Sequence, residues 1–289
     1  MPRLALLLTT LIWGATFPAT KAALDQIPPL TFLLLRFGLG TCLVASWLLL
    51  MRHRLQRDRS SLFAAGIATS FLFLGYVLQT VGLRYTFASN SAFLTALYVI
   101  FVPLILCRFG GRVLAATAVA TLGLWLLVKP SASINLGDLM TLGCALAFAG
   151  HIVCLERFTR QFDAPSLLLW QMAAMTLLLI PTALWEQAPT ESFSPTTVLL
   201  IGLGVTGVLA TGAFAVQMWA QQIVPAQQVA LVFASEPAYA AWLSWYFLGE
   251  VLDLQGWIGS ALILAAVVIG AFGAQEPETA PRVDAVRVS

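Results

Sequence analysis

Long apolar stretches separated by short polar or charged breaks run along nearly the whole chain. A helix needs roughly 20 residues to cross about 30 Å of hydrocarbon. Breaks at charge clusters, prolines and glycines divide the chain into ten stretches of about that length. The pattern therefore predicts an all-α integral membrane protein with ten transmembrane helices, followed by a polar, disordered tail over 275–289. The stretches are 4–24, 30–51, 62–83, 88–107, 112–129, 136–155, 165–185, 197–222, 226–247 and 254–273.

Composition supports the membrane class and excludes several others. Hydrophobic residues make up 60% of the chain and charged residues 10%, whereas soluble domains are about 45–50% apolar and about 25% charged. A net charge of +2 provides no basic face for nucleic acid. The four cysteines lie in apolar runs without CxxC spacing, a pattern typical of neither a disulfide scaffold nor a zinc site. We therefore expect a lipid bilayer around the chain, no nucleic-acid partner, and no metal or cofactor.

The distribution of Lys and Arg between alternate loops predicts the orientation, because these residues are enriched in cytoplasmic loops. One side would carry eleven of them and the other side only three, which places both termini in the cytoplasm. The first side holds Arg3, Arg52, Arg54, Arg57, Arg59, Arg108, Arg112, Arg157, Arg160, Arg282 and Arg287, and the second holds Lys21, Arg84 and Lys129.

An internal repeat is visible at a shift of 138 residues, where 78–90 overlays 216–228 and Gln79 meets Gln217. A weaker overlay at a shift of 135 relates 12–24 to 147–159.

Each half of the chain would contain five spans, an odd number, so the second half enters the membrane from the opposite side. Secondary transporters are often built from such inverted repeats, with the substrate site near the midplane. We predict a first repeat over 1–130 and a second, inverted repeat over 131–274.

Several motifs resemble the EamA-type members of the drug/metabolite transporter superfamily, and the resemblance covers about residues 5–273. The Glu236-Pro237 and Gly249-Glu250 pairs stand where that family usually carries Glu-Pro and Gly-Glu. The resemblance implies ten helices around a central cavity formed by helices one to four and six to nine. The segments that carry it are LIWGATFPATKAAL, PPLTFLLLRF, LGDLMTLGCALAFAGHIV, PAQQVALVFASEPAYAAWLSWYFLGEVL and GWIGSALILAAVVIGAF.

The first half departs from the family pattern. Phe109-Gly110-Gly111-Arg112 stands where Gly-Glu would end the fourth helix, and Pro103 lies four residues past the position that matches Pro237. Among characterised members, the chain is most similar to amino-acid exporters of the YddG type. That likeness implies export of amino acids or similar small metabolites across the bacterial inner membrane.

Glu236 and Arg36 are charged residues well inside predicted spans, where a charge costs about 2.5–3.5 kcal/mol and is by default a functional candidate. Glu236, beside the helix-kinking Pro237, either binds a proton or a cationic amine, or simply ties its helix to a neighbour. Pro103 is the corresponding kink candidate in the fourth span. Arg36 either attracts a substrate carboxylate or extends to the lipid headgroups.

Neutral polar residues on several spans predict the lining of a cavity for a small polar or zwitterionic solute. Gln79 and Gln217 occupy equivalent places in the repeats, and their amides need partners inside the membrane. Hydrogen bonding between helices is the alternative role for each member. His151 has a further option, since an imidazole in a span either relays protons or serves as a neutral bonding partner. The predicted cavity residues are Trp13, Thr16, Tyr76, Gln79, Asn90, Tyr98, His151, Gln171, Gln217 and Glu236.

Other functional classes find little support in the sequence. HExxH, GxSxG with a fitting histidine, and GxGD motifs are absent, so we expect no enzyme. A charged ring or carbonyl filter typical of channels is not evident. The prediction is a secondary transporter that works by alternating access, as a monomer or homodimer. A proton-coupled exporter of drugs or other metabolites, and a structural membrane protein, remain as alternatives.

Overall fold

The computed structural model describes residues 1–86, 88–128, 135–186, 196–248 and 253–272. Within these ranges the chain is helical, without a β-strand. The predicted Gly249-Glu250 pair, Lys129 and the tail over 275–289 lie outside the described residues.

Thirteen α-helices and two π-helical stretches, Gly204–Leu209 and Val268–Phe272, make up the described fold. Six helices are long and apolar enough to cross a membrane: Pro2–Leu24, Pro29–Leu50, Arg59–Gly82, Leu136–Gln161, Ala164–Trp185 and Thr197–Gln221. The prediction of an all-α, multi-pass membrane protein is thereby confirmed. The helices are α1 (Pro2–Leu24), α2 (Pro29–Leu50), α3 (Arg59–Gly82), α4 (Ala88–Ala96), α5 (Tyr98–Leu106), α6 (Gly111–Val128), α7 (Leu136–Gln161), α8 (Ala164–Trp185), α9 (Thr197–Leu203), α10 (Ala210–Gln221), α11 (Ala226–Phe233), α12 (Glu236–Leu248) and α13 (Leu254–Val267).

Polar side chains in the short breaks determine where many helices begin. Asp58 accepts a hydrogen bond from the backbone N–H of Ser61 at 3.0 Å and so caps α3. Asn135 and Asp138 form a reciprocal capping box at the start of α7. Such side chains satisfy the backbone N–H groups that the first turn of a helix leaves without partners. The breaks between apolar stretches are therefore helix starts as well as loops.

Two stretches that the sequence predicts as single helices are each divided in two. The stretch over 88–107 is interrupted at Leu97, and the stretch over 226–247 is interrupted at 234–235. Because Leu97 and Ser235 are 138 residues apart, the interruptions fall at equivalent places in the repeat. Pro237 lies in the first turn of α12, where proline is tolerated, just after the break.

Pro103 lies inside α5, six residues after the break at Leu97. A proline inside a helix removes one backbone hydrogen bond and tends to bend the helix. The division of the fourth stretch nevertheless falls upstream of this proline.

The packing of the helices follows the repeat. Helix α3 packs along α7, α1 packs along α10, α2 packs along α8, and α6 packs along α13. The α6–α13 contact is closest at two glycines, because a Cβ on Gly123 would lie 2.7 Å from the carbonyl oxygen of Gly259. A Cβ on Gly259 would lie 2.6 Å from the carbonyl oxygen of Gly123. The backbones of α6 and α13 therefore touch at a place where only glycine fits.

A polar cluster joins the loop after α2 to the start of α8. His53 Nε2 lies 2.7 Å from Asp163 Oδ2, and Gln56 Oε1 accepts the backbone N–H of Asp163 at 2.8 Å. The backbone N–H of Gln56 donates to Ser166 Oγ at 2.9 Å. Partial burial raises the pKa of the Asp163 carboxyl, but hydrogen bonds from Ser166 and His53 outweigh it and hold that pKa below its ordinary value.

Candidate functional site

A cavity lies where the helices of the two repeats converge, with room for a few water molecules. It offers about 50 Å³ to the centres of water molecules, and one water needs about 10–15 Å³ by the same measure. Side chains from α1, α3, α4, α5, α7, α10, α11 and α12 line it. They belong to Trp13, Thr16, Phe17, Leu72, Tyr76, Gln79, Thr95, Tyr98, Phe148, His151, Ile152, Phe214, Gln217, Phe233 and Glu236.

The structure brings most of the predicted cavity residues together around this space. Asn90 and Gln171 are not part of the lining. Asn90 is buried on α4, and Gln171 is buried on α8 with its Nε2 atom 2.9 Å from Nε2 of His151. Gln171 therefore bonds α8 to α7, which is the helix-to-helix role expected as its alternative. The predicted residues that do line the cavity are Trp13, Thr16, Tyr76, Gln79, Tyr98, His151, Gln217 and Glu236.

Glu236 and Tyr98 meet at the two helix breaks. Tyr98 is the first residue of α5 and Glu236 is the first residue of α12. The phenol of Tyr98 donates a hydrogen bond to Glu236 Oε2 at 3.3 Å, and both side chains are buried. Among the lining residues of the described chain, Glu236 is the one Asp, Glu, Lys or Arg. Glu236 is therefore the one carboxyl group among the described lining residues.

Aromatic rings form much of the remaining wall. The ring of Trp13 lies edge-on to Phe233 with centroids 4.7 Å apart, and 5.3 Å from the centroid of Phe214. Tyr76 lies edge-on to Phe148 at 5.1 Å. Such tilted pairs are favourable because the positive edge of one ring meets the negative face of the other. The phenylalanines in this wall gave no signal in the sequence, since apolar residues abound in every span.

Arg36 lies behind the cavity wall. Its guanidinium carbon is 4.6 Å from the centroid of the Tyr76 ring and 5.1 Å from that of Phe37. The residue is 3% exposed, so its side chain packs inside the protein instead of extending to the headgroups. It is also not among the residues that line the cavity. Ring faces compensate part of the cost of burying this charge.

Two glutamines on the cavity wall are bonded differently. Gln79 Nε2 donates to Thr95 Oγ1 at 3.1 Å. Gln217 Nε2 donates to Gln221 Oε1 at 2.9 Å, and Gln221 Nε2 donates to the carbonyl oxygen of Ile152 at 2.8 Å. Oε1 of Gln217 is buried without a hydrogen-bond partner among the described residues, and so is Nε1 of Trp13. Both atoms belong to lining residues but are covered by protein, so neither is open to the cavity.

The internal repeat extends to the cavity itself. Ten lining residues form five pairs whose members are 138 residues apart, and two of these pairs are in direct contact: Tyr98 with Glu236, and Tyr76 with Phe214, whose rings lie edge-on with centroids 6.2 Å apart. The shift of 138 residues also relates the lining residue Trp13 on α1 to His151 on α7. The sequence overlay of these two helices, 12–24 with 147–159, uses a shift of 135 instead. The pairs are Trp13 with His151, Tyr76 with Phe214, Gln79 with Gln217, Thr95 with Phe233, and Tyr98 with Glu236.

Comparison with known proteins gives a consistent family assignment. The model of the EamA-like transporter family matches residues 2–128 and again 135–271. An uncharacterized transporter of Archaeoglobus fulgidus is 34% identical over 277 residues, which cover 92% of this chain and 84% of the relative. The uncharacterized transporter YoaV of Bacillus subtilis is 24% identical over 282 residues, covering 93% and 96% of the two chains.

A solved crystal structure shares the fold. It aligns with a TM-score of 0.77 at 16% identity, covering 94% of this chain and 99% of the other chain. This likeness concerns the fold, and the family assignment rests on the two family matches and the related transporters. The chain belongs to the EamA-like transporter family, within the drug/metabolite transporter superfamily.

Proposed function

We propose that this transporter moves amino acids or similar small metabolites across the bacterial inner membrane, in the direction of export, as YddG-type exporters do. The observation that carries the proposal is the cavity at the junction of the two repeats, where two broken helices bring a buried carboxylate and a phenol together. Discontinuous helices at a repeat interface are where secondary transporters place their substrate sites. The limited space favours a small solute.

The proposed topology has ten transmembrane spans with both termini in the cytoplasm. Helices α4 and α5 would form one span, α9 and α10 another, and α11 and α12 a third. The halves would comprise residues 1–130 and 131–274. Reporter fusions test this arrangement, because a periplasmic phosphatase fused after Arg84 is expected to be active, whereas one fused after Arg57 is expected to be inactive.

The proposed mechanism is rocking of the two halves about the central cavity. Glu236 has two roles open to it in such a cycle: to neutralise an amine of the solute, or to carry a coupling proton. Its burial and its phenol partner are compatible with both. The second role favours the alternative function, a proton-coupled exporter of drugs or other metabolites, for which the cavity would need to widen.

Counterflow in proteoliposomes tests the proposal, with a panel of labelled amino acids and with or without a pH gradient. We expect accumulation of one amino-acid class or of chemically similar solutes. A stimulation by the gradient would point to proton coupling. Failure of folded protein to exchange any panel member would refute the small-metabolite proposal, and drugs and nucleosides would then be examined.

A further inference from the structure

We infer that the segment over 51–59, which joins α2 to α3, binds the phosphate of an anionic phospholipid through four arginines on an anchored backbone. We call this segment the arginine loop. It lies outside the cavity, so the inference goes beyond the proposed function and does not depend on which solute is transported. The four residues are Arg52, Arg54, Arg57 and Arg59.

The guanidinium groups of the arginine loop are free to bind a ligand. All four arginines are exposed, and none of them forms a hydrogen bond or an ion pair with another residue of the described chain. By contrast, on the same predicted side of the membrane, Arg160 lies 3.4 Å from Glu156 and Arg3 donates to Gln228 at 3.0 Å. A guanidinium presents five N–H donors in a planar fork that matches phosphate oxygens. The arginine loop therefore concentrates donors that the described protein leaves unused.

Hydrogen bonds to α8 and its N-terminal cap anchor the backbone of the arginine loop. The backbone N–H of Gln56 donates to Ser166 Oγ at 2.9 Å, and its carbonyl oxygen accepts Nε1 of Trp170 at 2.8 Å. The side chain of Gln56 accepts the backbone N–H of Asp163 at 2.8 Å, and His53 Nε2 lies 2.7 Å from Asp163 Oδ2. These anchors alternate along the chain with the arginines. A group carried on an anchored backbone loses less conformational freedom when it binds a ligand.

The charge of the arginine loop favours an anionic headgroup. Its formal charge is +3, from four arginines and Asp58, with His53 neutral. The carboxylate of Asp58 accepts the backbone N–H of Ser61 at 3.0 Å, so it caps α3 and makes no ion pair with an arginine of the described chain. An anionic headgroup has a net negative charge to offer this surface, whereas a zwitterionic headgroup compensates its phosphate with its own cation. Positive clusters next to membrane helices attract anionic lipids for this reason.

Exposed apolar side chains on both sides of the arginine loop place it at the depth of the lipid headgroups. Leu49 and Leu50 at the end of α2 are each 79% exposed, and Phe63 on α3 is 72% exposed. Arg52 follows Leu50 by two residues. Arg59 precedes Phe63 by four residues, which is about 6 Å along a helix. Since exposed apolar side chains of a membrane protein contact acyl chains, the guanidiniums that border them lie beside the phosphates.

The orientation of the chain in the membrane requires less than this arrangement. The bias of Lys and Arg between loops depends on the number of charges and places no demand on the geometry of a loop. An anchored backbone and guanidiniums without acidic partners are additional features, and they suit two-pronged binding of a phosphate. Because the arginine loop bonds to α8, a lipid bound there would also stabilise the contact between the two halves of the chain.

Native mass spectrometry of the full chain in detergent tests the inference. Phosphatidylglycerol and phosphatidylcholine with identical acyl chains are titrated separately, and inorganic phosphate is added at the same concentration as a competitor. We expect phosphatidylglycerol to bind about tenfold more tightly than phosphatidylcholine. Inorganic phosphate is expected to leave the bound lipid in place, because it lacks the acyl chains that contact the neighbouring apolar side chains.

Variants assign the preference to the arginine loop. Replacing all four arginines by Gln is expected to bring the two lipids within about twofold of each other, and the double variant Arg54→Gln/Arg57→Gln within about threefold. The matched control Arg84→Gln/Arg157→Gln also removes two exposed arginines, but outside the loop, and is expected to keep the tenfold preference. Replacing all four arginines by Lys retains the charges that predict the orientation. It is expected to lower the preference to about threefold, because lysine lacks the fork.

The inference is overturned if the unaltered chain binds both lipids equally, or if the double variant and its control lose the preference to the same extent. Release of the lipid by inorganic phosphate would assign the arginines to a soluble anion and would overturn it as well. Should the variant with four Gln residues not fold, the unaltered chain and the double variant still decide. Failure of counterflow would refute the proposed function without affecting lipid binding, and the reverse also holds.

Discussion

The two halves of the cavity wall occupy equivalent positions in the repeat but differ in chemistry. In the first half Gln79 bonds to Thr95, its neighbour across the wall. In the second half the position equivalent to Thr95 is Phe233, which has no acceptor, and Gln217 bonds to Gln221 on its own helix instead. The Gln79 nitrogen thus bonds to another helix of its own half, whereas Gln217 bonds within its own helix and keeps a buried oxygen without a partner among the described residues.

Two other paired positions also differ in chemistry. Trp13 is equivalent to His151 and Tyr98 to Glu236, so the first half contributes an indole or a phenol where the second contributes an imidazole or a carboxyl group. At the remaining pair, Tyr76 and Phe214, both halves contribute an aromatic ring. The shared positions determine where the cavity lies. The unequal side chains determine what it can bind, and a perfectly symmetric wall would offer no such distinction between the ends of a solute.

The largest expected effect comes from removing the charge that distinguishes the halves. Glu236→Gln is expected to reduce the rate of counterflow by about 10- to 100-fold, because a buried hydrogen bond to a charged group contributes about 1.5–3 kcal/mol. Tyr98→Phe removes only the neutral partner of this bond and is expected to lower the rate less. An unchanged rate and unchanged pH dependence in Glu236→Gln would end any role of this residue in transport.

The next effect concerns a place where the halves are alike. Gly123→Ala and Gly259→Ala would each press a Cβ against backbone of the other helix. We expect losses of about 1–3 kcal/mol in unfolding free energy, as for overpacked cores. The relative counterflow rates of different solutes are expected to stay unchanged. Thermal unfolding in detergent measures the loss. Gly212→Ala is the matched control, since a Cβ there meets open space; an equal loss in this variant would contradict the packing argument.

The two glutamines give a smaller effect that tests the comparison directly. Gln79→Ala and Gln217→Ala are each expected to weaken solute binding by about 0.5–1.5 kcal/mol, the usual worth of one hydrogen bond, without unfolding the protein. Thr95→Val makes the first half resemble the second by leaving the Gln79 amide without its acceptor. Binding is followed by competition in counterflow, with Gln222→Ala as the exposed control. Loss of expression in both alanine variants would instead assign these residues to helix packing.

The smallest effect is expected at the polar cluster of His53, Gln56, Asp163 and Ser166, which joins the two halves outside the cavity and is called the tie below. The pKa of Asp163 is held below its ordinary value by Ser166 and His53, although partial burial opposes this. A depressed carboxyl pKa means that the tie contributes stability above about pH 4, the unfolded value, and that this contribution is lost as pH falls further. Asp163→Asn is expected to accelerate amide exchange at Ser166 near neutral pH. Equal exchange rates in the variant and the unaltered chain would contradict the role of the tie.

Much of the fold could be predicted from the sequence because polar breaks and helix starts coincide. Asp58, Asn135 and Asp163 each lie in a break between two apolar stretches, and each caps the following helix. The interruption at Ser235 lies beside Pro237, which is a kink candidate from the sequence. The interruption at Leu97 could not be predicted, because apolar residues continue through it and Pro103 lies six residues further on.

The candidate site was predictable only where a residue is unusual for a membrane helix. Glu236, Gln79 and Gln217 stand out because polar side chains are costly in a span. The phenylalanines of the wall do not stand out, and the bond between Gln171 and His151 depends on the distance between two helices. Polarity therefore identifies candidates, and the tertiary arrangement decides which of them face the cavity.

The contact between Tyr98 and Glu236 has a geometric consequence. Their positions are equivalent in the repeat, and yet they touch each other. Exchanging the conformations of the two halves carries each position onto the other, so it carries this contact onto itself. Bonds such as that between Gln79 and Thr95 have no such protection, because their image joins different side chains. If the halves exchange shapes during transport, the contact between Tyr98 and Glu236 persists in both shapes, and so does the ring contact between Tyr76 and Phe214.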